Sequence, residues 1–394
     1  MVGSPGGEVT HERRTTDDMH CGVMVTGYNQ ADWDRLMAED YSRPPATPDY
    51  LQLEETLQMG ELVEPLGFDS IWATEHYGSA YSMQPNPLQY LAYWAGRTKR
   101  VDVGTAVVVA PWWNPVRLAS EISMLDILLR GRRLHLGIGR GVAPHEYASL
   151  GIPIEESHAY FYDVVNAIRA ADGAERFTFD GQVFKIPPTT IRPQARHKGD
   201  VTTRIKAAFT TKKSARLAAE NGLGQMFVAN DDIESMTAGV SQFNEIRAEM
   251  GLPPDQPTTL LWMYCAEKSS DAEEGWDYYH NQVTAAQHHY FEWNNPGFQG
   301  VKGYEEYLQR QSADVDFADQ TLDNQRRTQP IGTPDEIIDR IKTVQRAIDL
   351  ETLVVHVFYG GMPREKAERS LRLFAEKVLP EVHAIDTRLD RSAA

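Results

Sequence analysis

Short apolar runs alternate along this chain with longer segments whose apolar residues recur at helical spacing. The runs Cys21–Thr26, Phe68–Ala73, Val101–Val109, Leu134–Ile138, Val201–Phe209, Gly224–Ala229, Thr258–Cys265 and Thr352–Phe358 are bounded by polar or Gly-rich residues, which predicts buried strands. Between them Asp49–Pro65, Pro87–Gly96, Pro115–Leu129, Ile154–Ala171, Lys212–Asn221, Asp232–Met250 and Pro334–Ile348 predict helices, and Arg364–Val378 predicts another after the last strand. The start at Thr333-Pro334-Asp335-Glu336 combines an N-cap, proline at the first helical position and acids in the first turn. Eight strands alternating with helices predict an α/β fold, a (β/α)8 TIM barrel with rim insertions. A doubly wound open sheet is the other arrangement this alternation permits. Phe177–Ile186, with Asp180-Gly181 between β-rich flanks, predicts a hairpin outside the alternation. The expected organisation is a disordered, polar, Gly-rich tail over 1–18 and one barrel domain over 19–394, with insertions at about 173–200 and 269–333.

Composition narrows the class. With 41% hydrophobic and 24% charged residues, the 394-residue chain reads as an ordinary globular protein. A formal charge of −17 argues against nucleic acid or an anionic membrane as partner, while leaving room for a local phosphate pocket. Cys21 and Cys265 cannot build a disulfide framework or a four-thiolate metal site. No apolar run approaches the ~20 residues of a membrane span. The expected location is the cytoplasm.

Parallel α/β folds gather their sites at the carboxyl ends of strands. Glu75-His76 follows the second strand. An imidazole there exchanges protons with a bound substrate near neutral pH, or it merely joins the loop's hydrogen bonds. Gly137-Ile138-Gly139-Arg140-Gly141 follows the fourth strand, where glycines let a ligand approach backbone and Arg140 adds a cation; a tight turn with a surface arginine would use the same residues. Its spacing and its place after the fourth strand set it apart from the G-x-G-x-x-G dinucleotide turn. Thr210-Thr211-Lys212-Lys213-Ser214 leads into a helix, so hydroxyls and free N–H groups make a phosphate cradle, or Thr211 simply caps the helix. His280, His288 and His289 stand among Trp276, Tyr278, Tyr279, Tyr290, Phe291 and Trp293. Without an H-E-x-x-H pattern no metal site is expected, and 276–293 reads either as the aromatic wall of a substrate pocket or as a helix packed on the rim.

The order and spacing of GFDSIWATEHYG, GRTKRVDVGTAVVV, NPVRLASEISMLDILLRGR and GIGRG, followed by EYASLG and EESH, resemble the bacterial-luciferase-like family of flavin-dependent monooxygenases. Weaker similarity continues through IGTPDEIIDRI and FYGGMPREKAERSLRLFAEKVLPEV. The resemblance implies a (β/α)8 barrel that binds reduced FMN at the strand ends, where oxygen adds at the flavin C4a position and the resulting peroxide oxygenates a small organic substrate. It implies a catalytic role for His76 and flavin-phosphate contacts by Arg140, Thr211 and Ser214. A non-proline cis peptide at Ala106–Val107 would support the flavin ring, and Gly139 of the GIGRG turn would contact the cofactor. It further implies a homodimer and, since nothing in the chain looks like a nicotinamide domain, a separate NAD(P)H-dependent flavin reductase as partner. One position departs from the pattern. Ser157-His158 stands where many members have Ser-Arg, so His158 brings less charge to the phosphate and no bidentate fork. That departure keeps a deazaflavin-dependent oxidoreductase in play, and a non-catalytic flavin-binding protein is a third reading.

Overall fold

The computed structural model describes residues 18–200, 202–209, 211–228, 232–291, 301, 304 and 325–387. The expected tail falls almost wholly outside them. In chain order the elements are β1 (His20–Met24), α1 (Trp33–Met37), α2 (Asp49–Glu61), β2 (Ser70–Ala73), α3 (Pro87–Arg97), β3 (Asp102–Val109), α4 (Pro115–Leu128), β4 (Leu134–Gly139), α5 (Pro144–Leu150) and α6 (Ser157–Ala171). Then come β5 (Phe177–Asp180), β6 (Lys185–Thr189), β7 (Lys206–Ala208), α7 (Lys212–Glu220), β8 (Gly224–Val228), α8 (Ile233–Glu249), β9 (Thr258–Trp262), β10 (Tyr264–Cys265) and α9 (Ser269–Phe291). The described chain closes with β11 (Ile331–Gly332), α10 (Pro334–Ile348), β12 (Thr352–His356), α11 (Arg364–Lys377) and α12 (Leu379–His383).

Eight parallel strands close into a barrel in the order β1-β12-β9-β8-β7-β4-β3-β2, which decides against the open sheet. Local chemistry starts the surrounding helices where the sequence predicts. Asn86 and Asn114 cap α3 and α4 ahead of Pro87 and Pro115, and Thr333 with Glu336 forms a capping box on α10. The main core lies between barrel wall and helices. A separate cluster of Met24, Trp72, Met226, Leu260 and Val354 fills the barrel interior, with Ala106 and Val107 packed against it. Side chains alternate along strands, so these residues define the inward parity of their strands.

Several elements differ from expectation for identifiable reasons. The fifth barrel strand is reduced to Lys206–Ala208, because Asp172 draws the preceding chain into a turn by accepting from the Thr202 N–H at 3.0 Å and hydroxyl at 2.8 Å; Val201 lies outside the described residues. The run Thr258–Cys265 splits at Met263, after which β10 leaves the barrel and pairs with β11. The hairpin of β5 and β6 forms, but its turn spans four residues, because Asp163 gathers the N–H groups of Gln182, Val183 and Phe184. Among the described residues no helix is long and apolar enough to cross a membrane.

Candidate active site

Beyond β2 the chain crosses the barrel mouth in a loop closed by Gln84. Gln84 Oε1 accepts from the Thr74 N–H at 3.1 Å, its Nε2 donates to the Val25 carbonyl at 2.6 Å, and its own carbonyl accepts from the His76 N–H at 3.1 Å. Beneath the loop Glu75 is buried and accepts from the Val109 N–H at 2.7 Å and the Trp113 indole at 2.9 Å. Burial outweighs these hydrogen bonds and pushes its carboxyl up to about 8. His76 thus stands on a loop fixed to β1 and to the end of β3.

Three elements converge on the His76 ring. Nδ1 donates to Glu146 Oε1 at 3.1 Å and lies 3.2 Å from His289 Nε2, while Nε2 lies 3.2 Å from the Tyr290 hydroxyl. Glu146 Oε1 also accepts from the Tyr77 N–H at 2.7 Å, and Glu146 Oε2 is 3.6 Å from His289 Nε2. On its far side His289 Nδ1 meets Ser79 Oγ at 3.0 Å. Burial opposes ionisation of Glu146, but His76 and then His289 more than offset it and hold the carboxyl well below its usual range. His289 is pushed down to about 4, chiefly by burial, and stays neutral.

Helix α9 delivers His289 and Tyr290, and its seating is tight. Gly360, at φ +61°, lies where an added Cβ would stand 1.9 Å from the Tyr278 carbonyl oxygen. Asn281 donates to the Gly360 carbonyl at 3.2 Å, and Gln282 accepts from the Gly360 N–H at 3.2 Å. Over 276–291 the segment is a helix on the rim, and the same helix lines the site. The side chain of Phe291 and residues 292 and 293 lie outside the description.

Helix α5 ties this cluster to the turn after β4. Glu146 bonds His76, and the next residue, Tyr147, donates from its hydroxyl to the Arg140 carbonyl. The Arg140 guanidinium donates to Ser157 Oγ at 3.2 Å and sits 4.3 Å above the Tyr304 ring. Arg140 is thus no stray surface cation. His158 occupies the first turn of α6 beside Ser157. Gly139 pairs with Ala208, so Arg140 and the loop to α7 leave adjacent strand ends. There Thr211 makes the expected N-cap, accepting from the Ser214 N–H at 3.2 Å and donating to Ser214 Oγ at 3.0 Å. Lys212 and Lys213 are exposed, and Thr210 lies outside the described residues.

The mouth itself is asymmetric. Continuing the inward parity, β3, β4 and β7 present Ala106, Gly139 and Ala208, whereas β9 and β12 present Trp262 and His356, stacked at 5.0 Å. Val107 packs so closely on Gly139 that a Cβ there would lie 2.6 Å from Val107 Cγ2. The Ala106–Val107 peptide is cis, as expected. Among the described residues Trp262 Nε1 is a buried donor without a hydrogen-bond partner. A low wall of Ala106, Ala208 and Gly139 with Val107 laid over it, a buried indole donor opposite, and a cation with hydroxyls at adjacent strand ends fit a flat ring bearing a phosphate.

The sequence pattern of the luciferase-like monooxygenases matches residues 37–350. This chain belongs to that family. It is a flavin-dependent oxidoreductase, and the non-catalytic reading falls. The chain is 25% identical over 353 residues to the oxygenase component of the flavin-dependent trigonelline monooxygenase of Acinetobacter baylyi, a match spanning 86% of this chain and 92% of that one. A monooxygenase from Streptomyces bottropensis is 27% identical and superposes with a TM-score of 0.71 over 92% of this chain and 99% of its own. An F420-dependent secondary alcohol dehydrogenase, 16% identical with a TM-score of 0.65 over 93% and 99% of the two chains, shares the fold alone.

Sequence reasoning singled out His76, Ala106, Val107, Gly139, Arg140, His158, Thr211 and Ser214, and the structure sets them on four neighbouring strand ends around one mouth. It overlooked Glu146, Trp262, Tyr304 and His356, and it named His289 and Tyr290 without a role. An expectation built on the H-E-x-x-H spacing could not anticipate the meeting of His76, Glu146 and His289, since each comes from a different element.

Proposed function

We propose that this chain is the oxygenase component of a two-component monooxygenase, taking reduced FMN from a separate NAD(P)H-dependent flavin reductase and oxygenating a small organic substrate. The asymmetric mouth carries this reading, with Ala106, Val107 laid over Gly139, and Ala208 forming a low wall on three adjacent strands and Arg140, Thr211 and Ser214 at their ends. Arg140 supplies the fixed charge for the phosphate, the Ser214 hydroxyl, itself held by the Thr211 hydroxyl, and the α7 N-terminus supply neutral donors, and His158 lies on the neighbouring first turn of α6. Ala106, Val107 and Gly139 back the ring. Bound reduced FMN supplies the electrons that activate O2. His76 holds or moves a proton at Nε2, with Tyr290 alongside and Glu146 fixing the ring through Nδ1. Helix α9, through Tyr290 and through Tyr279 packed edge-on against Trp262 of β9, excludes water from that side.

Anaerobic titration with reduced FMN tests the reading. Wild type is expected to bind and then to consume O2 on mixing with aerated buffer, and Arg140→Ala to bind about 10-fold or more weakly, as befits loss of a charge-assisted hydrogen bond. Normal binding by that variant removes the phosphate assignment. His158, in place of a second arginine, favours one other reading, deazaflavin-dependent hydride transfer; binding of a reduced deazaflavin but not of reduced FMN would establish it. We place the enzyme in the cytoplasm, consistent with two buried unpaired thiols, Cys21 and Cys265. We infer a homodimer through the exposed stripe Met124, Ile127 and Leu128 of α4, so Leu128→Glu should shift the elution volume to that of a monomer.

A further inference from the structure

We propose that His76, Glu146 and His289 form a binding site for one divalent first-row transition-metal cation of the Zn2+ type. The donor atoms come from the loop after β2, from α5 and from α9, and all face one point. His76 Nδ1 is 3.1 Å from Glu146 Oε1 and 3.2 Å from His289 Nε2, and His289 Nε2 is 3.6 Å from Glu146 Oε2. Zinc bonds of about 2.0–2.2 Å at tetrahedral angles set neighbouring ligand atoms about 3.3–3.6 Å apart. One ligand atom from each side chain lies within 4.8 Å of the others, so a cation is accommodated once Glu146 turns one oxygen toward both imidazoles.

The surroundings match what such ligands require. Each histidine has its other ring nitrogen held by a hydroxyl, Nε2 of His76 by Tyr290 and Nδ1 of His289 by Ser79, which orients the rings as outer partners of metal-bound imidazoles do. The Tyr77 N–H holds Glu146 Oε1 at 2.7 Å. The side chains of His289 and Glu146 are 0% and 1% exposed and that of His76 is 10% exposed, so the site is enclosed with one side open. Among the described residues Glu146 forms no ion pair with a lysine or arginine; its ion-pair partners are the His76 and His289 imidazoles. Capture exchanges the proton between His76 Nδ1 and Glu146 for the cation. Two histidines and a carboxylate leave a fourth position for water or for an oxygen of the substrate.

The inference does not depend on which flavin is bound, so it is tested on full-length flavin-free protein with Co2+ alone, followed by displacement with Zn2+. Wild type is expected to take up one equivalent of Co2+, with the visible absorption of a tetrahedral site, and to lose the bands to one equivalent of Zn2+. Glu146→Gln and His289→Gln should each weaken Co2+ binding at least 100-fold, and Ser79→Ala about 10-fold, the range for outer partners. Circular dichroism verifies that each variant is folded. Folded wild type that binds no stoichiometric Co2+ or Zn2+ overturns the proposal, as does unchanged affinity in Glu146→Gln. Titrating the same samples with reduced FMN reports on the flavin reading separately.

Discussion

Glu75 sits between fold and chemistry, because one buried carboxyl group accepts from both the Val109 N–H and the Trp113 indole while its neighbour His76 faces the mouth. Glu75→Ala strands two buried donors, each worth about 1–3 kcal/mol, and should lower stability by about 2–5 kcal/mol in urea unfolding. Glu75→Gln keeps an acceptor and should cost less. Equal midpoints for all three proteins would show that other acceptors take these donors. His76→Ala is expected to leave reduced-FMN affinity unchanged while turnover drops about 10²–10⁴-fold, the usual scale for losing a positioned proton carrier; normal turnover would remove His76 from the mechanism. His76 was legible in the sequence because it follows an apolar run that ends in polar residues. Glu146 and His289 were not, since they lie 70 and 213 residues from their partner and periodicity reports only on near neighbours. Tyr304 escaped for the same reason, reaching Arg140 from a segment with no apolar pattern of its own.

Elements were legible in proportion to how locally they are determined. The helices that begin Asn-Pro or Thr-Pro carry their own start signals, and α3, α4 and α10 begin where these stand. Helices α1 and α5, of five and seven residues, are too short to display a period, and neither is among the predicted elements. β7 and the break between β9 and β10 depend on distant partners, Asp172 in one case and the 331–332 strand in the other. Helix α9 shows the same dependence from the other side, since its place over the mouth rests on Gly360, far along the chain. Gly360→Ala meets both a left-handed φ and the Tyr278 carbonyl, and the φ alone costs about 1–2 kcal/mol. The expected result is faster amide exchange across 269–290 and reduced turnover, with the barrel strands protected as in wild type. Unchanged exchange in α9 would mean that the helix is held elsewhere.

Across the whole molecule, acid sensitivity follows from where the barrel buries its histidines. At the amino-terminal end of the interior His20, bonded to Ser70 at 2.7 Å, is pushed down to about 4 by burial and then by His135, against the opposing pull of Asp69, Asp102 and Glu351. At the mouth His356, stacked on Trp262, is pushed down to about 3 by burial alone. Both are neutral in the folded state, whereas the unfolded chain protonates them below about 6.5. At these two sites and at His289 the unfolded state binds more protons from pH 6.5 down to about 4; Glu75, which the fold keeps protonated up to about 8, opposes them with one proton, and the three histidines prevail, so stability falls as pH falls through the window. A competing effect has the opposite sign, because acid also neutralises part of the formal charge of −17 and so relieves self-repulsion. Salt separates the two. Surface repulsion is screened over about 10 Å at 0.1 M, while the desolvation of a buried imidazole is not. Urea midpoints measured from pH 7 to 4.5 should fall, and should fall at least as steeply in 0.5 M NaCl. His356→Phe removes one titrating group without adding a polar atom, so it should flatten that slope by up to one proton between pH 5 and 6. A wild-type slope that vanishes in salt, or one that the substitution leaves unchanged, would assign the acid sensitivity to the surface instead of the barrel interior.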